Sequence, residues 1–167
     1  ENNFSNLVTE LSDGEHFWNV TCVDDLGNSN YSSTQRFVIN QPDLYIDSQN
    51  ITFNNTNPDL LETITIIANV SNIGGIDATN AVVSFWDGNP NDGGVLIGND
   101  TQNVSYDSFS QFSVEWSINS GYHTIYIILD PDELINELNE TNNNATVNIS
   151  VLRVEVNSPE NNSIFNY

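Results

Sequence analysis

The sequence predicts an all-β fold of the sandwich type, and two observations support this prediction. Nearly every apolar stretch alternates with period two, and turn-forming residues interrupt the alternation at short intervals. In addition, 38% of the 167 residues are hydrophobic and 10% are aromatic, which is enough to build a core and more than a disordered acidic tail contains. We therefore expect a globular chain of strands rather than amphipathic helices.

The first forty residues contain about three predicted strands. Trp18, Val20 and Cys22 would share one face of a single strand, residues 24–28 form a turn, and residues 37–39 supply a further strand. Three strands cannot close a sandwich, and a unit of this size with one apolar face is too small to fold alone. Something else must therefore cover it.

Pro42 follows a polar pair and marks a plausible linker, because the residue before proline is restricted to extended conformations. Seven strands are predicted after it, which is the number in an immunoglobulin-like sandwich. Residues 130–138 have mixed periodicity and could form a short helical turn opening at Pro131 or an irregular strand. The seven predicted strands are residues 44–53, 63–70, 81–86, 95–97, 112–118, 122–129 and 145–151.

A change in the phase of alternation sets a second boundary near Val151. The apolar residues occupy odd positions from 145 to 151, but even positions from 152 to 156. Since a slip of one residue inverts the buried face, one strand cannot serve both sets without a bulge. We predict three parts: residues 1–40, 41–151 and 152–167.

The composition excludes several classes of partner. The formal net charge is −21, with 2 Lys+Arg against 23 Asp+Glu, which argues against nucleic acid and against anionic lipid. No apolar run approaches the roughly 20 residues of a membrane helix, so we expect no membrane insertion by this segment. Cys22 is the single cysteine of the sequence, so three states are open to it: a buried thiol, a disulfide with another molecule, or a disulfide with a cysteine outside these residues.

The central stretch resembles CARDB, an adhesion-related immunoglobulin-like module of prokaryotic surface proteins. Four motifs carry the resemblance, in the family's order: N-V-S-N-I-G at 69–74, F-W-D-G-N-P at 85–90 followed by G-G, the stretch 121–130, and E-L-N-E-T-N-N at 137–143. The resemblance implies a seven-stranded sandwich, frequent occurrence in tandem arrays on large secreted proteins, and no catalysis.

The two ends look like parts of another immunoglobulin-like module, of a type common in archaeal surface proteins. Residues 11–28 look like the closing strands of this module and residues 154–163 look like its opening strand. The end of the module therefore precedes its beginning in the sequence. Either the chain is one period of a tandem array, or separate subunits join head-to-tail by strand exchange, or the boundaries are arbitrary. The residues expected at a contact between copies are Phe17, Trp18, Val20, Val154, Val156, Ile164, Phe165 and Tyr167.

Asparagine accounts for 29 residues, and twelve of them occur in Asn-x-Ser/Thr sequences that accept N-linked glycans. Random placement among the 17 Ser and 12 Thr would give about 5. Alternation on a solvent face could also pair Asn with Thr at i and i+2. We nevertheless expect several glycans and an extracellular location. The twelve are Asn3, Asn19, Asn30, Asn50, Asn54, Asn69, Asn99, Asn103, Asn139, Asn144, Asn148 and Asn161.

Two oxygen-rich loops are candidate calcium sites, because calcium takes six to eight hard oxygen ligands. The first contains Asp87, Asn89, Asn91 and Asp92, and the second contains Asp130, Asp132, Glu133, Glu137 and Glu140. Solvated turns in an acidic protein give the same pattern. Apart from calcium we predict no cofactor.

Catalytic motifs are absent from the sequence, which contains no His-Glu-x-x-His and no Gly-x-Ser-x-Gly. We therefore predict a protein that is not an enzyme: a structural subunit or tandem repeat of an extracellular, prokaryotic and archaeal-like surface filament or stalk. The alternative is an adhesion or carbohydrate-binding module of a larger secreted protein. Trp86 is the better candidate for an exposed contact, whereas Trp116 shares a face with core residues.

Overall fold

The computed structural model describes residue 11 and residues 14–151. This part of the chain is built from strands and two short 3-10 turns. No helix in it is long and apolar enough to cross a membrane. The strands are β1 (Gly14–Trp18), β2 (Thr21–Val23), β3 (Ser29–Tyr31), β4 (Gln35–Ile39), β5 (Leu44–Tyr45), β6 (Ile51–Phe53), β7 (Thr63–Asn72), β8 (Ala78–Asp87), β9 (Val95–Val104), β10 (Ser108–Ser117), β11 (Gly121–Leu129) and β12 (Asn144–Val151).

The first four strands form one long interrupted hairpin. β1 pairs with β4 and β2 pairs with β3, and the turn between β2 and β3 is closed by Asp24, which accepts from the backbone N–H groups of Leu26 and Asn28 at 2.9 and 2.8 Å. The side-chain amide of Asn28 also donates to Asp24 and is the main reason that the pKa of this exposed carboxyl is lowered. The turn lies at residues 24–28, as predicted.

The prediction that Trp18, Val20 and Cys22 share one strand is wrong. Trp18 pairs with Gln35 and Thr21 pairs with Tyr31, so two residues on one side oppose three on the other. The unequal number of residues interrupts the pairing, so residues 14–23 form two strands, β1 and β2. Val20 spans the break by exchanging hydrogen bonds with Ser32.

Residues 41–151 form a sandwich of two four-stranded sheets. One sheet has the order β10-β7-β5, with β6 also paired to β7, and the other has the order β12-β11-β8-β9. All of the pairs are antiparallel. The alternation predicted from sequence is observed: Ile64, Ile66, Ala68 and Val70 of β7 are fully buried and meet Phe85 of β8 in one core cluster.

The predicted strand 44–53 is interrupted. β5 and β6 lie along the same edge of β7, and a 3-10 turn, Ser48–Asn50, separates them. Asp47 accepts from Gln49 N–H at 2.7 Å, and Asn50 Oδ1 accepts from Asp47 N–H at 3.1 Å, which is a capping box. The polar residues at 47–50 therefore stop the strand.

The predicted helical turn opening at Pro131 is limited to one turn, in which Glu133 N–H donates to the Asp130 carbonyl at 2.9 Å, and no strand forms in the segment 130–138. It is an irregular loop in which Asp130 Oδ2 accepts from Ile135 N–H at 2.7 Å, and Asp130 and Glu133 both have positive φ angles, of 40° and 51°. Positive φ values are incompatible with either regular structure. Toward its end the loop bonds to the segment that enters the sandwich, where Leu138 N–H donates to the Pro42 carbonyl at 3.0 Å.

Candidate functional site

The motif residues of the sandwich converge on the segment that enters it, residues 41–46. Asn72 is 1% exposed, and its Oδ1 accepts from Asp43 N–H and Gly74 N–H, both at 3.1 Å. Its Nδ2 donates to the carbonyls of Ile76 at 2.8 Å and Val104 at 3.0 Å. One buried amide thus satisfies four backbone groups from four places in the chain.

Gly74 is required by the same close approach. A Cβ atom at this position would lie 2.4 Å from Gln41 O and 2.5 Å from Asp43 N, both of which are backbone atoms. Ile73 N–H and Gly75 N–H donate to the carbonyls of Asp43 and Gln41 on either side of it, at 2.8 Å each. The glycine therefore lets two backbone segments pack directly against each other.

Glu137 fastens the irregular loop to the same entry segment. Its carboxylate accepts from Leu44 N–H and, at 3.0 Å, from Asn143 Nδ2, while its own N–H donates to Glu140 Oε1 at 3.0 Å. Asn142 Nδ2 adds a bond of 2.8 Å to Asp43 Oδ1. The E-L-N-E-T-N-N motif therefore holds the loop against β5. We call the hydrogen bonds that join Asn72, Glu137 and Asn142 to residues 43 and 44 the latch.

The pKa of Glu137 is raised to about 7, mainly by burial and to a smaller extent by the negative charges of Glu140 and Asp130, while the hydrogen bonds from Leu44 and Asn143 act in the lowering direction. A raised carboxyl pKa can mark a catalytic acid. Here, however, the side chain is only 6% exposed, and its hydrogen bonds go to structural partners. We interpret Glu137 as part of the latch.

The first candidate calcium loop uses part of its oxygen set for turn geometry. Asn89 Oδ1 accepts from Asn91 N–H at 2.9 Å and so caps the 3-10 turn Pro90–Asp92, and Asp87 Oδ2 lies 2.9 Å from His123 Nδ1. Across the described residues, no group of three or more His, Cys, Asp or Glu side chains could hold a metal ion. Calcium binding at this loop stays a prediction.

His123 lies at one end of the sandwich, beside a cleft of about 410 Å³ that is lined in part by Asp87 and Trp116. Its two ring nitrogens face the Asp87 carboxylate and, at 3.1 Å, the Asn119 carbonyl. Trp116 contacts the imidazole edge-on, with the ring centroids 5.1 Å apart. Trp116 is partly buried against the core, as predicted, and both ring nitrogens of His123 have hydrogen-bond partners.

The outer face of the β12-β11-β8-β9 sheet has an aromatic centre. Trp86 pairs with Tyr126 across β8 and β11, and the indole N–H of Trp86 donates to Ser84 Oγ at 3.0 Å. Tyr122 projects from the same face of β11 and is 70% exposed. Trp86 is half-buried and is therefore less exposed than the sequence suggested.

Ten of the twelve glycosylation sequences lie in the described part of the chain, and Asn3 and Asn161 lie outside it. Asn50 and Asn69 are half-buried, whereas the other eight asparagines are exposed. Asn144 and Asn148 point outward on β12. Asn69 also points outward, but Gln111 partly covers it, with Nε2 donating to Asn69 Oδ1 at 3.3 Å.

The interrupted hairpin leaves large apolar side chains in solvent. Phe17 is 62% exposed, Trp18 51%, Val20 48%, Val23 64% and Tyr31 68%. Its two strand pairs are two-stranded sheets of their own in the described structure, and neither joins a sheet of the sandwich. The remaining contact residues that the sequence predicts, Val154, Val156, Ile164, Phe165 and Tyr167, lie outside the described residues, as does the predicted opening strand at 152–167.

Cys22 is exposed on β2, so a buried thiol is excluded among the alternatives for this residue. Sequence reasoning placed Trp18 and Cys22 on strands, but on one strand rather than two. It did not find the latch formed by Asn72 and Glu137, because the partners of these two residues are distant in sequence. Their presence inside the two asparagine-rich motifs was the available signal.

Comparison with known proteins agrees with this architecture. The structure is similar to the CARDB domain of a Pyrococcus furiosus protein, determined in complex with di-metal ions, with a TM-score of 0.57 and 24% identity over 69% of this chain and 97% of that one. It is also similar to a domain of a candidate cell surface protein from Methanosarcina acetivorans, with a TM-score of 0.53 and 22% identity over 68% and 95% of the two chains.

A third similar structure comes from Geobacter metallireducens, with a TM-score of 0.53 and 29% identity over 65% of this chain and 96% of that one. No curated protein matches the chain. The family profile named CARDB matches residues 41–147, which is more than half of the sequence and contains both halves of the latch. The chain therefore belongs to the CARDB family, an immunoglobulin-like and adhesion-related fold rather than an enzyme family.

Proposed function

We propose that this chain is a structural module of an extracellular surface protein, in which the CARDB sandwich is a rigid unit and the interrupted hairpin is a joint to another copy. The cell-surface location is supported by family membership and by the description of the Methanosarcina acetivorans neighbour. The net charge of −21 is consistent with a solvated exterior that does not bind nucleic acid.

The observation that carries the joint is the exposed apolar surface of the hairpin. Phe17, Trp18, Val23 and Tyr31 are each more than half exposed, on strands that pair only with one another in the described structure. Two-stranded hairpins are marginal in water unless they pack against another element. Aromatic residues with an uncovered face are typical anchors of protein interfaces. A second copy of the chain, either covalently continuous or separate, would supply the missing cover.

Sedimentation velocity across a concentration series tests this proposal. We expect the weight-average mass of the Cys22→Ser chain to rise above that of a monomer, and a Trp18→Ser substitution to shift this rise to at least tenfold higher concentration. Tyr122→Ser is the matched control, because it removes an aromatic residue of the sandwich that is even more exposed than Trp18. A chain that stays monomeric at every concentration, or one in which Trp18→Ser and Tyr122→Ser act alike, would contradict the joint.

A second candidate function is carbohydrate binding by the outer sheet face. Trp86 and Tyr126 lie side by side at its centre, and aromatic rings can stack on the apolar faces of sugars. If this function is correct, Tyr126→Ala should lower the affinity for a soluble polysaccharide in calorimetry, while Trp18→Ser should leave it unchanged.

A further inference from the structure

Two strands of the β12-β11-β8-β9 sheet present the same polar sequence to solvent. On β12 the outward positions 144, 146, 148 and 150 read Asn, Thr, Asn and Ser, and on β9 and the residue after it the positions 99, 101, 103 and 105 read the same. β12 and β9 are the two edges of one four-stranded sheet. Each column contains two overlapping Asn-x-Ser/Thr sequences. The four acceptor asparagines are Asn99, Asn103, Asn144 and Asn148.

The register places these asparagines across the aromatic centre of the face. Asn99 pairs with Ser84, Ser84 with Ile128, and Ile128 with Asn144, so Asn99 and Asn144 lie in one row about 14 Å apart, or three strand spacings. Asn103 and Asn148 lie about 13 Å further along their strands, in opposite directions. Four acceptors are therefore spread over one face with room for a sugar at each.

The side-chain amides differ between asparagines inside and outside these sequences. Of the 22 described asparagines, 10 belong to Asn-x-Ser/Thr sequences, and none of these donates a hydrogen bond through Nδ2 to another described residue. Six of the other 12 do donate in this way. They are Asn28, Asn55, Asn57, Asn72, Asn142 and Asn143.

The local hydrogen bonds of two acceptors also fix the direction of the amide. Asn103 Oδ1 accepts from Asn80 N–H at 2.8 Å, and Asn148 Oδ1 accepts from Thr124 Oγ1 at 2.9 Å. With the oxygen held against the sheet, the nitrogen is directed away from that contact. Asn99 and Asn144 are exposed and form no side-chain hydrogen bond within the described structure.

From this geometry we propose that Asn99, Asn103, Asn144 and Asn148 are N-glycosylated, so that both edge strands of the β12-β11-β8-β9 sheet carry sugar. In each modification Nδ2 forms a bond to C1 of the first sugar of a lipid-phosphate-linked oligosaccharide. The C1–O bond to the lipid phosphate breaks, the lipid phosphate leaves, and the amide proton goes to a base of the transferase. The proposal requires export of the chain but not head-to-tail assembly.

Sugar at these positions also explains how the edge strand β12 avoids pairing with other sheets. Exposed edges pair readily with strands of other molecules unless they are blocked. Glycans on β12 would block its edge, whereas β9 is already joined to β10 of the other sheet, where Ser113 N–H donates to Asp100 Oδ2 at 3.0 Å and Ser110 Oγ donates to the Asn103 carbonyl at 2.8 Å. Asn50 and Asn69 make a useful contrast, because both are half-buried and should carry less sugar.

The test is glycopeptide mass spectrometry of the full chain, secreted from a host that glycosylates Asn-x-Ser/Thr and that co-secretes a reporter glycoprotein as a positive control. Trypsin is unsuitable because the chain has only 2 Lys+Arg. Cleavage before Asp100 separates Asn99 from Asn103. Cleavage after Glu140 and Glu155 places Asn144 and Asn148 on one peptide, in which fragmentation locates each sugar. We expect sugar at all four, at higher occupancy than at Asn50 and Asn69.

Matched substitutions separate modification from a purely polar role of these columns. Thr101→Ala and Thr146→Ala destroy one acceptor sequence each, whereas Thr101→Ser and Thr146→Ser preserve it. The alanine variants should each lose the mass of one glycan and the serine variants should lose none, with unchanged circular dichroism in all four. Bare peptides at the four asparagines beside a glycosylated reporter, or equal glycan mass in alanine and serine variants, would overturn the proposal.

Discussion

The buried carboxyl of Glu137 should make the sandwich more stable in mild acid than at neutral pH. The ordinary pKa of this carboxyl is 4.5, and in the folded protein it is about 7. Below pH 4.5 both the folded and unfolded states hold the proton, so the contribution to stability is fully present. Between these values only the unfolded state ionises, and the contribution is lost as the pH rises through about 7.

The size of the effect follows from the two pKa values. At about 1.4 kcal/mol for each pH unit the full difference corresponds to about 3 kcal/mol. Solvent screening at the edge of the latch reduces the expected change to about 1–2 kcal/mol. For a domain of this size the melting temperature should therefore fall by about 4–8 °C between pH 5 and pH 8.

Thermal unfolding of the wild type and of Glu137→Gln at several pH values is the assay. Glutamine keeps one acceptor for Leu44 N–H and cannot ionise, so its pH dependence should be flatter and the variant should be the more stable protein at pH 8. Glu115→Gln, on the exposed side of β10, controls for the change in net charge. Parallel pH profiles for wild type and Glu137→Gln would refute the reasoning.

Three further substitutions test the packing by urea unfolding. Gly74→Ala should cost about 3 kcal/mol, since its Cβ meets backbone atoms, whereas Gly75→Ala meets only a side chain and should cost less; equal losses would contradict the close approach. Asn72→Ala leaves several buried backbone groups without a partner and should cost about 3 kcal/mol, and a neutral result would contradict the latch. Phe85→Ala should lower the free energy of unfolding by about 3–5 kcal/mol, and Tyr122→Ala should lower it by less than about 0.5 kcal/mol. A larger loss for Tyr122→Ala than for Phe85→Ala would contradict the position of Phe85 in the core.

The sequence predicts the sandwich well because its signal is local. Alternation in β7, β8 and β11 reports directly which side chains face the core, and these faces are buried as expected. It fails where a polar contact competes with the pattern. The strand expected at 44–53 stops because Asp47 and Asn50 cap a turn, a choice that apolar periodicity does not encode.

The break in the hairpin was not predictable either, since it depends on the register between two strands. Val20 continues the apolar alternation of its own strand, but residues 19 and 20 face one residue more, 32–34, on the partner side. The two matching polar columns on β9 and β12 are visible in the sequence. That they lie on one face is not, because β11 and β8 come between them in an order that the sequence does not reveal.

The central claim is that the exposed face of the hairpin contacts a second copy, and photo-crosslinking tests it most directly. A photoreactive phenylalanine analogue would replace Phe17, and copies with light and heavy nitrogen would be mixed before irradiation. The account predicts crosslinked peptides that join a light chain to a heavy one. Crosslinks confined to peptides of a single isotope, which would mean that position 17 meets only its own chain, would contradict it.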